Sequence, residues 1–182
     1  DRDTFLAHFR KAASDGFDPH RDLVRIGLAN QTTMLMSESL EIAEMLKAAY
    51  LDRYGEPALA AHFQAFDTIC SATQDRQDAV VALLDQHAVD LMIVIGGYNS
   101  SNTCNLARIC SASRATFHIA DPECLVSAGE IRHRPVGGGR EITSQGWLPE
   151  NGPVSVGLTS GASTPDNLVG AAIARLTELS AA

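Results

Sequence analysis

Residues 89–105 read VDLMIVIGGYNSSNTCN, and this stretch decides the fold. The unbroken apolar run over residues 91–95 is typical of a strand buried on both faces. Gly96 and Gly97 then permit a tight turn and close approach of a ligand to the backbone. Small polar side chains follow, before a helix-compatible segment. Because the first N–H groups of a helix are free and its dipole is positive there, residues 96–103 (the central turn) suit a phosphate without Lys or Arg. The alternative is an ordinary strand–helix turn with N-caps.

The composition limits the class of protein and its partners. Of 182 residues, 45% are apolar and 20% charged, as in soluble globular proteins. The formal net charge of −8 argues against nucleic acid or an anionic membrane as the main partner. We expect neither a transmembrane helix nor a secretory signal. The first residue is Asp1, so we expect a chain that is processed, trimmed or part of a longer protein.

The four cysteines have no CxxC spacing, which argues against a zinc site. Scattered cysteines in a chain of this size favour a reducing compartment over a disulfide scaffold. We expect Cys110 and Cys124 to be small buried apolar side chains.

Helices and strands are predicted to alternate. We expect helices over residues 4–14, 37–54, 74–87, from about 106, and from Pro165 to about 179, and strands over residues 23–29, 62–69, 91–95, 115–120 and 154–158. Thr164 is predicted as the N-cap of the last helix. Residues 121–152 show little periodicity and are expected to form short surface elements. The alternation predicts an α/β fold with parallel sheets flanked by helices.

Polar side chains follow four of these strands. The polar turns are residues 30–33, 70–73, 99–103 (the second part of the central turn) and 159–164, the last of which we term the C-terminal turn. In parallel sheets, ligands bind at the carboxyl ends of strands. Together, these turns would line a cavity with neutral hydrogen-bond donors suited to a small anion. Cys70 lies in one of them near a helix N-terminus, which favours the thiolate.

Segments at these turns closely resemble the 4-hydroxy-3-methylbut-2-enyl diphosphate reductase family. They are Gln31-Thr32-Thr33, residues 67–77, residues 97–103 and residues 159–166. Their order agrees with the family over nearly the whole chain. Trp147-Leu148-Pro149 and the glycine-rich segment before it are similar to the cyanobacterial and plastid branch.

The resemblance implies an iron–sulfur oxidoreductase of the non-mevalonate isoprenoid pathway. The family removes the allylic hydroxyl of its diphosphate substrate with two electrons and protons, giving isopentenyl and dimethylallyl diphosphate. Its cofactor is a 4Fe–4S cluster held by three cysteines, with one iron open to substrate. Reduced ferredoxin or flavodoxin is the expected electron donor, in a bacterial cytoplasm or a plastid stroma.

The resemblance also implies residue roles. Cys70 matches one of the three cluster ligands, and Thr32 matches the threonine beside the substrate hydroxyl in the proton-delivery network. Thr32 is therefore expected to be catalytic as well as substrate-binding. The positions that match the diphosphate-binding motifs, or lie beside them, are Ser100, Ser101, Asn102 and Ser163.

The family has three similar α/β lobes, and this chain resembles only part of it. Residues 1–66 resemble the C-terminal part of the middle lobe, and residues 67–182 the complete last lobe. The first lobe, with the other two cluster cysteines, has no counterpart here. Cys104 and Cys110 do not match ligand positions, and one cysteine cannot hold such a cluster. We therefore expect the chain to be inactive alone.

Two other functions remain open from the sequence. One is a cluster-free module that binds a diphosphate or another anion without redox chemistry. The other is a flavodoxin-like electron carrier, although few aromatic residues (5%) are available to stack on a flavin. The six histidines fall in no ligand motif and are expected at the surface or at helix caps.

Overall fold

The computed structural model describes residues 1–149 and 152–180. The chain divides into two compact units. Unit 1 comprises Asp1–Gln31 and Met36–Thr68, and unit 2 comprises Thr32–Leu35 and Ile69–Ala182. Residues 32–35 thus group with the later part of the chain, although they precede much of unit 1 in sequence.

Unit 1 contains a two-stranded parallel sheet and four helices. Its elements are α1 (Arg2–Phe9), α2 (Pro19–Asp22), β1 (Ile26–Ala29), α3 (Met36–Tyr54), α4 (Glu56–His62) and β2 (Phe63–Phe66). Strands β1 and β2 pair in parallel from Ile26 opposite Phe63. The Tyr50 hydroxyl donates to the Leu23 carbonyl at 2.5 Å, which anchors α3 beside the segment that leads into β1.

Unit 2 is built on a three-stranded parallel sheet. Its elements are α5 (Ser71–Gln86), β3 (Leu91–Ile95), α6 (Ser101–Ser111), β4 (Ala115–Ile119), a 3₁₀ turn (Pro122–Cys124), β5 (Glu130–His133), β6 (Ile142–Gln145), β7 (Val156–Ser160) and α7 (Asp166–Ser180). The strand order is β4-β3-β7, with both pairings parallel. Strands β5 and β6 form a separate antiparallel pair.

The central strand β3 is buried along its whole length, as predicted. One face packs Leu91, Ile93 and Ile95 against a cluster that includes Ala172 of α7. The other face packs Met92 and Val94 against residues of α5 and α6. Helices therefore cover both faces of the sheet, and the predicted α/β class with helix-flanked parallel sheets is confirmed.

Several element boundaries differ from the sequence prediction. Helices α5 and α6 begin earlier than predicted because Cys70 and Ser100 already occupy the N-cap positions. Helix α4 is absent from the prediction, since Gly55 and Pro57 are expected only to end α3. Gly55 adopts φ +74°, and a proline in the first turn of a helix has no N–H that needs a partner.

The last helix begins one residue later than predicted. Helix α7 begins at Asp166, and the Thr164 hydroxyl donates to the Ile95 carbonyl at 3.1 Å. Thr164 therefore fastens the C-terminal turn to the sheet.

Among the described residues, no helix combines the length and apolarity required to cross a bilayer.

Replacing Ile93 by Ala should destabilise unit 2 by about 2–5 kcal/mol, because its side chain is fully buried and truncation leaves a cavity. Ile173 of α7 is 53% exposed, so Ile173→Ala should cost less than about 1 kcal/mol. Urea unfolding of both variants measures the difference. Equal losses would show that the centre of β3 is not the core of this unit.

Candidate functional site

The central turn joins β3 to the first turn of α6. Ser100 caps the helix, and its hydroxyl accepts the Thr103 backbone N–H at 3.3 Å. Gly96 adopts φ +146°, a conformation that side chains disfavour. The chain thus turns sharply at the end of a rigid strand and presents the N-terminus of an 11-residue helix, where an anion is favoured.

Asn102 lies in the first turn of α6 and is only 3% exposed. Neither its Oδ1 nor its Nδ2 atom has a hydrogen-bond partner within the described protein, and neither does the buried Thr103 hydroxyl. Leaving a buried polar group unpaired costs about 1–3 kcal/mol, so such groups are uncommon. These two neighbouring side chains therefore have hydrogen-bonding capacity that a ligand can satisfy.

The C-terminal turn meets the central turn at the end of β3. The Ile95 carbonyl accepts the Gly161 N–H at 3.0 Å and the Thr164 hydroxyl at 3.1 Å. Ser163 lies between these two anchors and is exposed. The structure therefore brings the turn that carries Ser163 to the strand end from which the Ser100–Asn102 segment departs.

Two glycines enclose Thr103 at this junction. A Cβ at Gly96 would lie 2.5 Å from Thr164 Oγ1 and 2.9 Å from Thr103 Oγ1. A Cβ at Gly161 would collide with Thr103 Oγ1. The close approach of the two turns thus depends on the absence of side chains at both positions.

Thr32 and Cys70 lie side by side in unit 2. The Cys70 N–H donates to the Thr32 carbonyl at 3.1 Å, and both residues are exposed. The next residue, Thr33, accepts a hydrogen bond from Asn105 Nδ2 of α6 at 2.9 Å. Met34 accepts one from Gln77 Nε2 of α5 at 3.3 Å. Residues 32–35 are thus fastened to the helices that carry the other predicted site residues.

Ser101 has a different environment from its neighbours in the motif. It is exposed and lines a cavity of about 360 Å³ between α6 and residues 134–138. Ser100, Asn102 and Ser163 are not among the residues that line this cavity. Helix α6 therefore presents the residues of one sequence motif on two faces.

Charged groups that the sequence analysis did not include hold the central turn in place. The Tyr98 hydroxyl donates to Glu141 Oε2 at 2.7 Å, and Arg134 Nη1 donates to the Tyr98 carbonyl. Burial, together with the hydrogen bond to Glu141, raises the pKa of Tyr98 above its ordinary value. Arg132 pairs with Glu141 at 3.4 Å. The central turn, predicted to work without Lys or Arg, therefore has a guanidinium bonded to its backbone.

The prediction that all six histidines lie at the surface or at helix caps is wrong for two of them. His118 is 2% exposed and His133 is 8% exposed. His118 Nε2 lies 3.0 Å from the Gly96 carbonyl, and His133 Nε2 lies 2.9 Å from Ser144 Oγ. Burial lowers the pKa of both imidazoles below their usual range.

The cysteines do not form a metal site on their own. No three His, Cys, Asp or Glu side chains of residues 1–149 and 152–180 are grouped as metal ligands. Cys110 and Cys124 are buried, as predicted, whereas Cys70 is exposed at the N-cap of α5. Burial raises the pKa of Cys110 to about 12, which disfavours a thiolate there. The described residues therefore offer an accessible thiol at Cys70 but not the ligand set of a 4Fe–4S cluster.

The fold and site define an α/β protein whose central parallel strand ends in a strand–helix junction with unpaired buried polar groups. Residues 3–177 match the family model described as LytB protein, and the chain belongs to this family. The resemblance inferred from the sequence is thereby confirmed.

Individual relatives agree with this assignment. The chain is 51% identical over 180 residues to the 4-hydroxy-3-methylbut-2-enyl diphosphate reductase of Synechococcus sp. (strain CC9311), covering 98% of this chain and 44% of the relative. It is also 51% identical over 180 residues to the enzyme of that name from Gloeobacter violaceus, covering 98% of this chain and 43% of the relative. This chain thus spans less than half the length of these relatives.

One solved structure shows the same fold. The E-1-hydroxy-2-methyl-but-2-enyl-4-diphosphate reductase from Plasmodium falciparum matches with a TM-score of 0.55 and 22% identity. The match covers 84% of this chain and 39% of that chain.

Replacing Gly161 by Ala should destabilise unit 2 by about 1–3 kcal/mol, because the new methyl group would force the two turns apart. A methyl group added at Gly170 of α7 would have no atom within 4 Å, so Gly170→Ala should stabilise the helix by about 0.5–1 kcal/mol. The unfolding free energies of both variants, measured by chemical denaturation, show whether Gly161→Ala is less stable and Gly170→Ala more stable than the parent. A Gly161→Ala variant as stable as the parent would contradict the close packing of the turns.

Unit 2 should lose stability as the pH falls below about 6.5, the usual pKa of histidine. The lowered pKa of folded His118 means that the unfolded chain takes up the proton first. The unfolding free energy continues to fall until the pH reaches the pKa of His118 in the folded protein. For one proton, its slope is at most about 1.4 kcal/mol per pH unit. The slope of the unfolding free energy, measured over about two pH units below neutrality, should be smaller in His118→Gln than in the parent. An unchanged slope would show that protonation of His118 does not cause the loss of stability.

Proposed function

We propose that this chain is part of a 4-hydroxy-3-methylbut-2-enyl diphosphate reductase and forms the site for the substrate's diphosphate. The observation that carries the proposal is the buried, unpartnered amide of Asn102 in the first turn of α6. Family membership and the names of the relatives support the same function. The chain would act as a component of the enzyme and would be inactive alone.

The proposed reaction is a reductive dehydroxylation. The allylic C–O bond breaks, two electrons and two protons are consumed, and the hydroxyl leaves as water. The products are isopentenyl and dimethylallyl diphosphate. The diphosphate does not react, so its role is to bind and orient the allylic carbon chain.

Neutral donors would hold the diphosphate. Ser100 and Asn102 contribute from the start of α6, and Ser163 contributes from the C-terminal turn. Ser101 has its side chain at the separate cavity, so its contribution would come from its backbone N–H at the helix N-terminus. Because the Asn102 amide is buried, the ligand reaches it only after a small displacement of one of the two turns.

Thr32 and Cys70 would serve the reacting end of the substrate. Their backbone hydrogen bond keeps both residues at the start of α5, and both are exposed. Thr32 would donate to and accept from the substrate hydroxyl and take part in proton delivery. Cys70 would be one of three cysteine ligands of the 4Fe–4S cluster, with the others supplied from outside this chain.

The cluster would supply the electrons in the complete enzyme. No step through it follows from this chain, because its described residues do not complete the ligand set. Reduced ferredoxin or flavodoxin would deliver the electrons. Four free cysteines support a reducing compartment such as a bacterial cytoplasm or a plastid stroma.

The domain assignment remains part of this proposal. Residues 1–66 would be the C-terminal part of the family's middle lobe, and residues 67–182 would be its last lobe. All the proposed site residues belong to unit 2. Thr32 would then be the contribution of the proposed middle-lobe segment to the site.

A second candidate is a cluster-free module that binds a diphosphate without redox chemistry. The incomplete set of metal ligands among the described residues favours it. The two candidates share the anion site and differ in the role of Cys70.

Cys70→Ser distinguishes them in the complete reductase that carries this sequence. After anaerobic cluster reconstitution, the variant should lose turnover and bound iron, because a hydroxyl is a poor cluster ligand. Cys104→Ser is the control and should retain both. Full turnover with Cys70→Ser would exclude the ligand role and favour the cluster-free module.

Calorimetry of this chain with isopentenyl diphosphate tests the anion site separately. Asn102→Ala and Ser163→Ala should each weaken binding by about tenfold, the equivalent of one lost hydrogen bond to a charged group. Asn167 is exposed on α7, and Asn167→Ala should leave binding unchanged. Equal affinity in all three variants would place the diphosphate elsewhere.

A further inference from the structure

Residues 134–141 (the hairpin loop) contact the central turn through the residues at both of their ends. The loop connects β5 to β6, and the pair His133–Ile142 closes the hairpin directly beside it. Arg134 is the first residue of the loop and Glu141 is the last. Because each is adjacent to the paired strands, the backbone hydrogen bonds of the hairpin limit where the two side chains can reach. The loop therefore presents a guanidinium and a carboxylate from two fixed points.

The tip of the hairpin loop contains three consecutive glycines. Gly137, Gly138 and Gly139 adopt φ of +98°, +117° and +101°, conformations that residues with a side chain disfavour. These conformations let a short loop reverse its direction. Its first and last residues can therefore contact the same neighbour.

That neighbour is Tyr98, which lies two residues before the N-cap Ser100 of α6. Arg134 Nη1 donates to the Tyr98 carbonyl, and the Tyr98 hydroxyl donates to Glu141 Oε2 at 2.7 Å. One of these bonds alone would leave either the ring or the backbone of Tyr98 free to move. Together they hold both parts of the residue, and so fix the peptide that leads into α6.

Further contacts orient both Tyr98 and Glu141. Glu141 Oε1 pairs with Arg132 Nη1 of β5 at 3.4 Å, which leaves its other oxygen for Tyr98. The Cys104 thiol of α6 donates to the Tyr98 carbonyl at 3.4 Å. The His118 imidazole of β4 makes a T-shaped contact with the Tyr98 ring, with centroids 5.0 Å apart. Tyr98 therefore contacts β4, the hairpin loop and α6 at once.

We propose that Tyr98 and Glu141 are positioning residues, which hold the first turn of α6 in the arrangement that binds the diphosphate. This inference rests on the proposed function, because it concerns the same anion site. Tyr98 acts through Ser100 and Asn102, whose positions depend on the peptide that precedes them. A site that is ordered before the ligand arrives is not ordered at the expense of binding, so its affinity is higher.

Calorimetry of this chain with isopentenyl diphosphate measures the effect on affinity. Tyr98→Phe removes only the hydroxyl, and Glu141→Ala removes its acceptor together with the ion pair to Arg132. Each should weaken binding about three- to tenfold, the equivalent of one hydrogen bond. Glu141→Gln keeps an oxygen that accepts from Tyr98 and should restore most of the affinity. Binding by Tyr98→Phe and Glu141→Ala as tight as that of the parent, or tighter, would overturn the proposal.

Two matched variants control for the substitutions themselves. Tyr54 belongs to unit 1, and its buried hydroxyl has no hydrogen-bond partner within the described protein, so Tyr54→Phe should leave the affinity unchanged. Glu130 lies on β5 of the same hairpin and accepts from Gln145 Nε2 at 2.8 Å. Glu130→Ala should weaken binding much less than Glu141→Ala. Equal losses in these two variants would show that the hairpin acts only through its stability, and would contradict the positioning role.

Hydrogen exchange without ligand tests the positioning separately. The Ser100 N–H donates to the Gly97 carbonyl at 2.9 Å, and the Cys104 N–H donates to the Ser100 carbonyl at 3.0 Å. Both protons should exchange about three- to tenfold faster in Tyr98→Phe, because the turn opens more often. The N–H groups of β3 should keep the rate of the parent. Unchanged exchange at Ser100 and Cys104 would also overturn the proposal.

Failure of the positioning role is distinguishable from failure of the diphosphate site. Absence of binding by the parent chain would overturn the diphosphate site, whereas exchange would still show whether Tyr98 holds the turn. In the complete reductase that carries this sequence, Tyr98→Phe should raise KM about three- to tenfold and leave kcat within about twofold, since the unreactive diphosphate is bound equally in the ground state and the transition state. A fall in kcat at unchanged KM would exclude a role in binding.

Discussion

The Ile95 carbonyl at the end of β3 is the contact on which the functional part of unit 2 depends. It accepts both the Gly161 N–H and the Thr164 hydroxyl, and so joins the two turns that carry the proposed diphosphate ligands. This carbonyl is rigid because β3 is buried on both faces and paired on both edges. The packing of this apolar strand thus fixes the positions of the polar groups that follow it. A site on a flexible loop would lack this precision.

The electrostatics of the molecule explain why these polar groups are mostly neutral. A chain with a formal net charge of −8 does not attract an anion by its overall field. Attraction has to come from nearby dipoles, such as the free N–H groups of α6, whose effect is lost beyond the first turn. The unpaired amide of Asn102 adds a donor there, at a cost to folding that a bound ligand would remove. In the proposed diphosphate site, this cost to the free chain would be offset when a ligand with many acceptor oxygens binds.

The sequence predicts those parts of the structure that rest on local pattern. Strand β3 is predictable because five consecutive apolar residues permit burial on both faces. Helix α4 is not, since Gly55 and Pro57 fit the end of one helix and the start of the next equally well. The burial of His118 and the bond from Arg134 to Tyr98 also escape prediction. Both depend on partners more than 20 positions away in the chain, Gly96 for His118 and Tyr98 for Arg134.

The two faces of α6 show how one sequence motif can occupy two different environments. Asn102 and Thr103 are buried, whereas Ser101 is exposed and lines the cavity between α6 and residues 134–138. Sequence comparison treats these adjacent residues as one unit, but a helix separates consecutive side chains by about 100°. The Tyr98 carbonyl connects the two faces, because it precedes the helix and accepts from Arg134 in the cavity wall.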